Sequence, residues 1–80
     1  MIPKSFQIMG HTIKVLVTDK LDSGNDGDYK SGLIRVRPQE ETQQEQTYCH
    51  ELVHCILQHL SYEDLDSDEA FVDRFAQCLH

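Results

Sequence analysis

The sequence predicts a small α+β domain: a three-stranded, mainly antiparallel sheet followed by two helices. Three observations predict it. Apolar residues alternate through the first part of the chain, as on a half-buried sheet, and later recur at helical spacing in two separate segments. All the strands precede all the helices, an order that argues against repeating βαβ units.

Phe6 and Ile8 mark the first strand, Gly10 and His11 supply a turn, and Ile13, Val15 and Val17 line one face of a second strand. Residues 19–28, DKLDSGNDGD, are dense in turn formers and read as a loop. Asp22, Asp26 and Gly27 are spaced as in a calcium-binding loop. Gly24, however, stands where the second oxygen ligand belongs and Leu33 where the bidentate glutamate belongs, so no calcium site is expected. A third strand runs from Leu33 to Arg37 and ends at Pro38. Thr42-Gln43-Gln44-Glu45 has the form of a capping box, predicting a helix from about Thr42 to Ser61. A polar connection, Tyr62 to Asp68, leads to a second helix from about Ser67 to His80.

The 80 residues allow one small domain, in which a bound metal would help offset a modest core. No apolar run approaches the ~20 residues that cross a bilayer. The opening MIPKSFQIMG has no apolar signal region, so the expected compartment is the cytoplasm. Residues 1–38 hold six Lys/Arg and four Asp/Glu, a balance of +2. Residues 39–80 hold one, Arg74, and ten Asp/Glu, a balance of −9, and the two together give the net −7. Such an acidic half repels phosphate backbones and argues against nucleic-acid binding. It is either a solvated surface or one that attracts cations or basic peptide segments. Cys49, Cys55 and Cys78 form no Cys-x-x-Cys pair and read as small apolar helix residues rather than a disulfide framework or thiolate zinc site.

The chemistry is concentrated in His50-Glu51-Leu52-Val53-His54. At about 100° per residue, Tyr48, Leu52, Ile56, Cys49, Leu60, Val53 and Leu57 fill one half of the first helix, and His50 and His54 border that half together. Two imidazoles about 6 Å apart along one stripe can reach one zinc ion. Glu51 lies about 60° further round, in position to face a metal-associated water. A third ligand is expected from Glu69, fifteen residues after His54 at the start of the second helix. Asp73, one turn on, can reach the outer nitrogen of one histidine and fix its tautomer. The second helix would pack through its opposite stripe of Phe71, Val72, Phe75, Cys78 and Leu79. Taken alone, Glu69 fits better as the third residue of a capping box begun by Asp66, and only the upstream histidines favour a ligand. His11, His59 and His80 are not expected to be ligands, which leaves a fourth position open to water.

His50-Glu51-Leu52-Val53-His54 followed by Glu69-x-x-Val72-Asp73-x-Phe75-Ala76-x-x-Leu79 resembles the small gluzincin metallopeptidases, in particular the ImmA/IrrE-type peptidase domains. The likeness covers about residues 27–80, with its specific part in 50–54 and 69–79. Val72 and Asp73 stand where that group has Ala and Asn. The resemblance implies a minimal zincin-like domain over residues 1–80, with zinc on His50, His54 and Glu69 and with Glu51 as the catalytic base. It also implies a protein or peptide substrate such as a transcriptional regulator, and a phage or mobile-element setting. Tyr29, Tyr48 and Tyr62 are the candidates for stabilising an oxyanion. The expected reaction is zinc-assisted peptide hydrolysis, with the Leu33–Arg37 strand as a sheet edge that holds an extended substrate. Two alternatives stand beside it: a zinc-stapled module that sequesters a partner, and a metal-free helical interaction domain.

Overall fold

The computed structural model describes residues 2–21 and 24–80, and the α+β class holds. Asp22, part of the rejected calcium loop, lies outside the described residues. Strands β1 (Ser5–Ile8), β2 (His11–Val17), β3 (Gly27–Lys30) and β4 (Leu33–Val36) are followed by helices α1 (Glu41–His59), α2 (Glu63–Asp66) and α3 (Glu69–Leu79). The sheet has four strands rather than three, in the order β1-β2-β4-β3. It is mixed: β1–β2 and β3–β4 are antiparallel, whereas β2 and β4 run parallel.

Both hairpins close through the same device. Met9-Gly10 and Ser31-Gly32 are two-residue turns in which both residues have positive φ, 51° then 82° in each case. That backbone twist matches the twist of paired strands. The turn therefore sits one residue earlier than the expected Gly10-His11, and His11 begins β2 opposite Ile8. The second turn creates β3, which sequence reading assigned largely to a loop. Of Gly-Asp-Tyr-Lys only Tyr29 favours a strand, so pairing with β4 and the Ser31-Gly32 turn override local preference.

Helix α1 begins at Glu41 after Glu40, which provides no side-chain cap. The expected Thr42 capping box does not form because Thr42 already lies inside the first turn. The Gln44 backbone N–H bonds to the Glu40 carbonyl at 3.0 Å, and the Gln44 side chain donates to the Gln39 carbonyl at 2.8 Å. The helix ends where Ser61 adopts φ 62° and Tyr62 N donates to the Leu57 carbonyl at 2.9 Å. The expected connection contains the single turn α2. The N-cap of α3 is Asp68, whose carboxylate accepts from Phe71 N at 3.1 Å. Asp66 is thus not that cap, and Glu69 is the first helical residue rather than the third.

Helix α1 is buried on two sides rather than along one apolar half. Cys49, Val53 and Leu57 pack with Val72 and Ala76 of α3. On the other side Cys55, fully buried, joins Ile13, Ile34 and Val36 of the sheet, with Tyr48 and Phe6 against them. Leu52 and Ile56, central to the predicted arc, are only half-buried, and Leu60 is exposed. Helix α3 differs likewise. It packs through Val72 and the small Ala76, while Phe75, Cys78 and Leu79 remain exposed. Cys49 and Cys55 are buried thiols, which burial pushes above the usual cysteine range. Among the described residues no helix is long and apolar enough to cross a membrane.

The sheet approaches α1 most closely at Gly27. A Cβ there would lie 2.6 Å from Thr47 Cγ2, 2.8 Å from the Arg35 carbonyl oxygen and 3.5 Å from Glu51 Cγ. Gly27 is required for space, and replacing it forces β3 and α1 apart beside Glu51. Gly27→Ala is expected to lower stability by ~1–3 kcal/mol, as overpacking of a close contact does. Thr47→Ser in that background removes one of the two obstructions and should recover part of the loss. Urea denaturation of the two variants beside the parent checks both.

Candidate metal centre

The two packing sides of α1 fix where its remaining faces point. By helical geometry the α3-facing stripe and the sheet-facing stripe lie roughly opposite each other, and His50 and His54 fall in the seam between them. The imidazoles sit one above the other, with ring centroids 4.9 Å apart. The first turn of α3 brings Glu69 to the same seam. Its Oε1 lies 3.4 Å from His54 Nε2 and 3.6 Å from His50 Nε2. One ligand atom from each of the three residues lies within 4.8 Å of the other two, so the group can hold a metal ion. Donors around a tetrahedral ion at ~2.0–2.1 Å stand roughly 3.4 Å apart, close to the spacings between each histidine and Glu69.

The outer nitrogens are what make this a fitted site. His50 Nδ1 lies 2.8 Å from Asp73 Oδ1, and His54 Nδ1 lies 2.7 Å from Asp66 Oδ1. Each carboxylate accepts the Nδ1 proton of its ring, so both Nε2 lone pairs turn toward Glu69. Asp73 occupies the place read from the sequence. Asp66 was missed as a partner, because it was weighed only as a helix cap. The fold instead gives α2 to it, directed back at α1. A short acidic turn between the two helices was the available signal.

Burial works against a charged imidazole at His54. The Asp66 hydrogen bond and the negative charges of Glu51, Glu69 and Asp66 outweigh it, so His54 holds its proton above the usual histidine range. Glu51 is 8% exposed, and its carboxylate has no hydrogen-bond partner among the described residues. Burial pushes its pKa up, Asp28 and Glu69 add to the rise, and protonated His50 and His54 would oppose it. Burial thus favours the protonated form of Glu51 more than solvent does. Its contribution to stability is present at acid pH and is lost as pH rises through its raised value.

A cleft of about 630 Å³ opens beside this group, lined by residues that include Asp26, Gly27, Thr47, His50, Glu51, Asp73 and His80. Of the other histidines, His59 packs at the helix–sheet junction, its Nδ1 donating to the Cys55 carbonyl at 2.9 Å and its ring near Tyr29 and His11. His11 is exposed at the start of β2. His80 Nε2 lies 3.7 Å from Glu45. None of the three belongs to the His50–His54–Glu69 group. Tyr29 and Tyr48 are half-buried in core contacts and Tyr62 is exposed before α2; none lines the cleft. Comparison of the chain with protein-family models, curated proteins and solved structures finds no match.

Asp66→Ala and Asp73→Ala, each leaving the three ligands in place, are expected to weaken zinc affinity by ~10–100-fold. Protons compete for the raised His54, so affinity should be full above its folded value and fall as pH drops through it. Zinc titration against a chromophoric chelator at several pH values reads both effects.

Proposed function

We propose that this chain is a zinc metallopeptidase domain of the gluzincin type, resembling ImmA/IrrE-type peptidases. The observation that carries the reading is a single juxtaposition. Two histidines present Nε2 atoms to Glu69 while Asp66 and Asp73 hold their outer nitrogens, and a buried, unpartnered Glu51 lines the adjoining cleft with His50 and Asp73. A packing helix has no need of that arrangement, and a hydrolytic site needs each part of it.

His50, His54 and Glu69 are the residues that would hold the ion. Zinc bound there supplies Lewis-acid polarisation of a carbonyl and acidity to water. Glu51 accepts the proton of the attacking water and returns it to the leaving amine. Its raised carboxyl is suited to that task because burial makes it a stronger base than a solvated glutamate. Asp73 and Asp66 hold both imidazoles with Nε2 toward the ligand side. The extended substrate pairs with β3 rather than with the Leu33–Arg37 strand. That strand is interior, between β2 and β3, whereas β3 is the edge and its first residue lines the cleft. A regulatory protein as the natural substrate, a cytoplasmic setting and a mobile-element origin are carried by the sequence reading alone.

A second reading has one observation in its favour: none of the three tyrosines lines the cleft, so no tyrosine there is in place to stabilise an oxyanion. A zinc-stapled module that sequesters its partner without cutting would have the same ligands. Glu51→Gln separates the two. The peptidase reading expects zinc to be retained and cleavage to fall by ~10²–10⁴-fold. Full cleavage by the variant would remove Glu51 from the role of base. A wild type that binds a partner as well as the variant does, and never cuts it, would establish the sequestering module instead.

A further inference from the structure

The residues around the cleft carry a charge pattern that its metal chemistry does not use. The ionisable groups lining it are Asp26, Glu51 and Asp73 with His50 and His80, and no lysine or arginine lines it among the described residues. The carboxylates are not equivalent. Asp73 is held by His50, and Glu51 is buried beside Gly27. Asp26 is exposed at the mouth, has no ion-pair partner among the described residues, and immediately precedes the β3 edge. The remaining wall contributes Gln46, Thr47 and Gln77, which bear no charge. Beyond the cleft, the balance of −9 over residues 39–80 extends the same sign across the helical layer.

From this we propose that the cleft selects peptides carrying a lysine or arginine close to the segment that lies against Glu51, and that Asp26 is the residue that reads this charge. The inference rests on the reading of the cleft as a peptide site. The unpartnered Glu51 carboxylate aimed into the cleft marks it as a place for a ligand, and the lining sets the ligand's charge. A basic side chain entering beside Gly27 meets an uncommitted carboxylate at the rim. An acidic one meets Asp26, Asp73 and Glu51 together, with no lysine or arginine among the described lining residues to offset them. The surrounding negative field also raises the encounter rate of basic segments and lowers that of acidic ones.

The test uses the zinc-loaded Glu51→Gln chain and three fluorescein-labelled octapeptide pools, randomised except for Lys, Gln or Glu fixed at a central position. Fluorescence anisotropy should give tighter binding in the order Lys, Gln, Glu, with Lys over Glu by on the order of tenfold at low salt. The preference should shrink as salt is raised. Asp26→Asn should reduce the Lys-to-Glu ratio to a few-fold, and Asp26→Lys should invert it; zinc content measured on each sample confirms an intact centre. Equal affinity for the three pools, or a ratio indifferent to Asp26→Asn, would overturn the proposal. Wild-type cleavage of all three pools without preference would leave the peptidase reading standing and the charge selection refuted. Lysine preference set by Asp26 in a wild type that never cleaves would do the reverse.

Discussion

Helix α1 is packed on two sides, and the angle between those sides decides where His50, Glu51 and His54 can point. Val72 and Ala76 press on one side, Ile13, Ile34 and Val36 on the other, and the helix cannot rotate without losing one of these contacts. The two histidines are left in the seam at which α3 begins. Glu51 is left on the sheet side, close to Gly27, where a Cβ on the strand would collide with Thr47 Cγ2 and the Arg35 carbonyl oxygen. The geometry of the centre is thus a consequence of core packing and of one missing Cβ.

That packing has an electrostatic cost. A glutamate buried without a hydrogen bond is unfavourable in an 80-residue domain with a small core. Such features persist where something other than folding stability selects them. A metal on the two Nε2 atoms and Glu69 would offset part of the cost, since ligand binding that requires the folded chain adds to its stability. It would also place a positive charge beside Glu51 and draw its raised pKa downward. The same ion would then both hold the domain together and offset the buried charge of Glu51.

Much of this was legible in the sequence because it depends on short periodicities. The spacing of His50 and His54 puts both on one helical stripe whatever the rest of the chain does, and Asp73 follows Glu69 by one turn for the same reason. The unread parts depend on tertiary contacts. β3 carries one strand-favouring residue and exists through its pairing with β4. Asp66 reaches His54 only because α2 folds back on α1. The single apolar arc assigned to α1 contains the α3-facing Cys49, Val53 and Leu57 but omits Cys55, which is buried against the sheet only through tertiary packing. In α3 the predicted stripe includes Val72, which is buried, but close approach selects the small Ala76 beside it and leaves Phe75 and Leu79 exposed.

Elemental analysis of the purified, untagged chain decides whether His50, His54 and Glu69 form a metal centre. With His54→Ala and Glu69→Ala prepared in parallel, the account predicts a single equivalent of zinc in the parent and its loss from both variants. Loss from His54→Ala alone would remove Glu69 from the centre. A parent chain that takes up no zinc after incubation with the metal would contradict the account and leave α1 as a packing helix in an interaction domain.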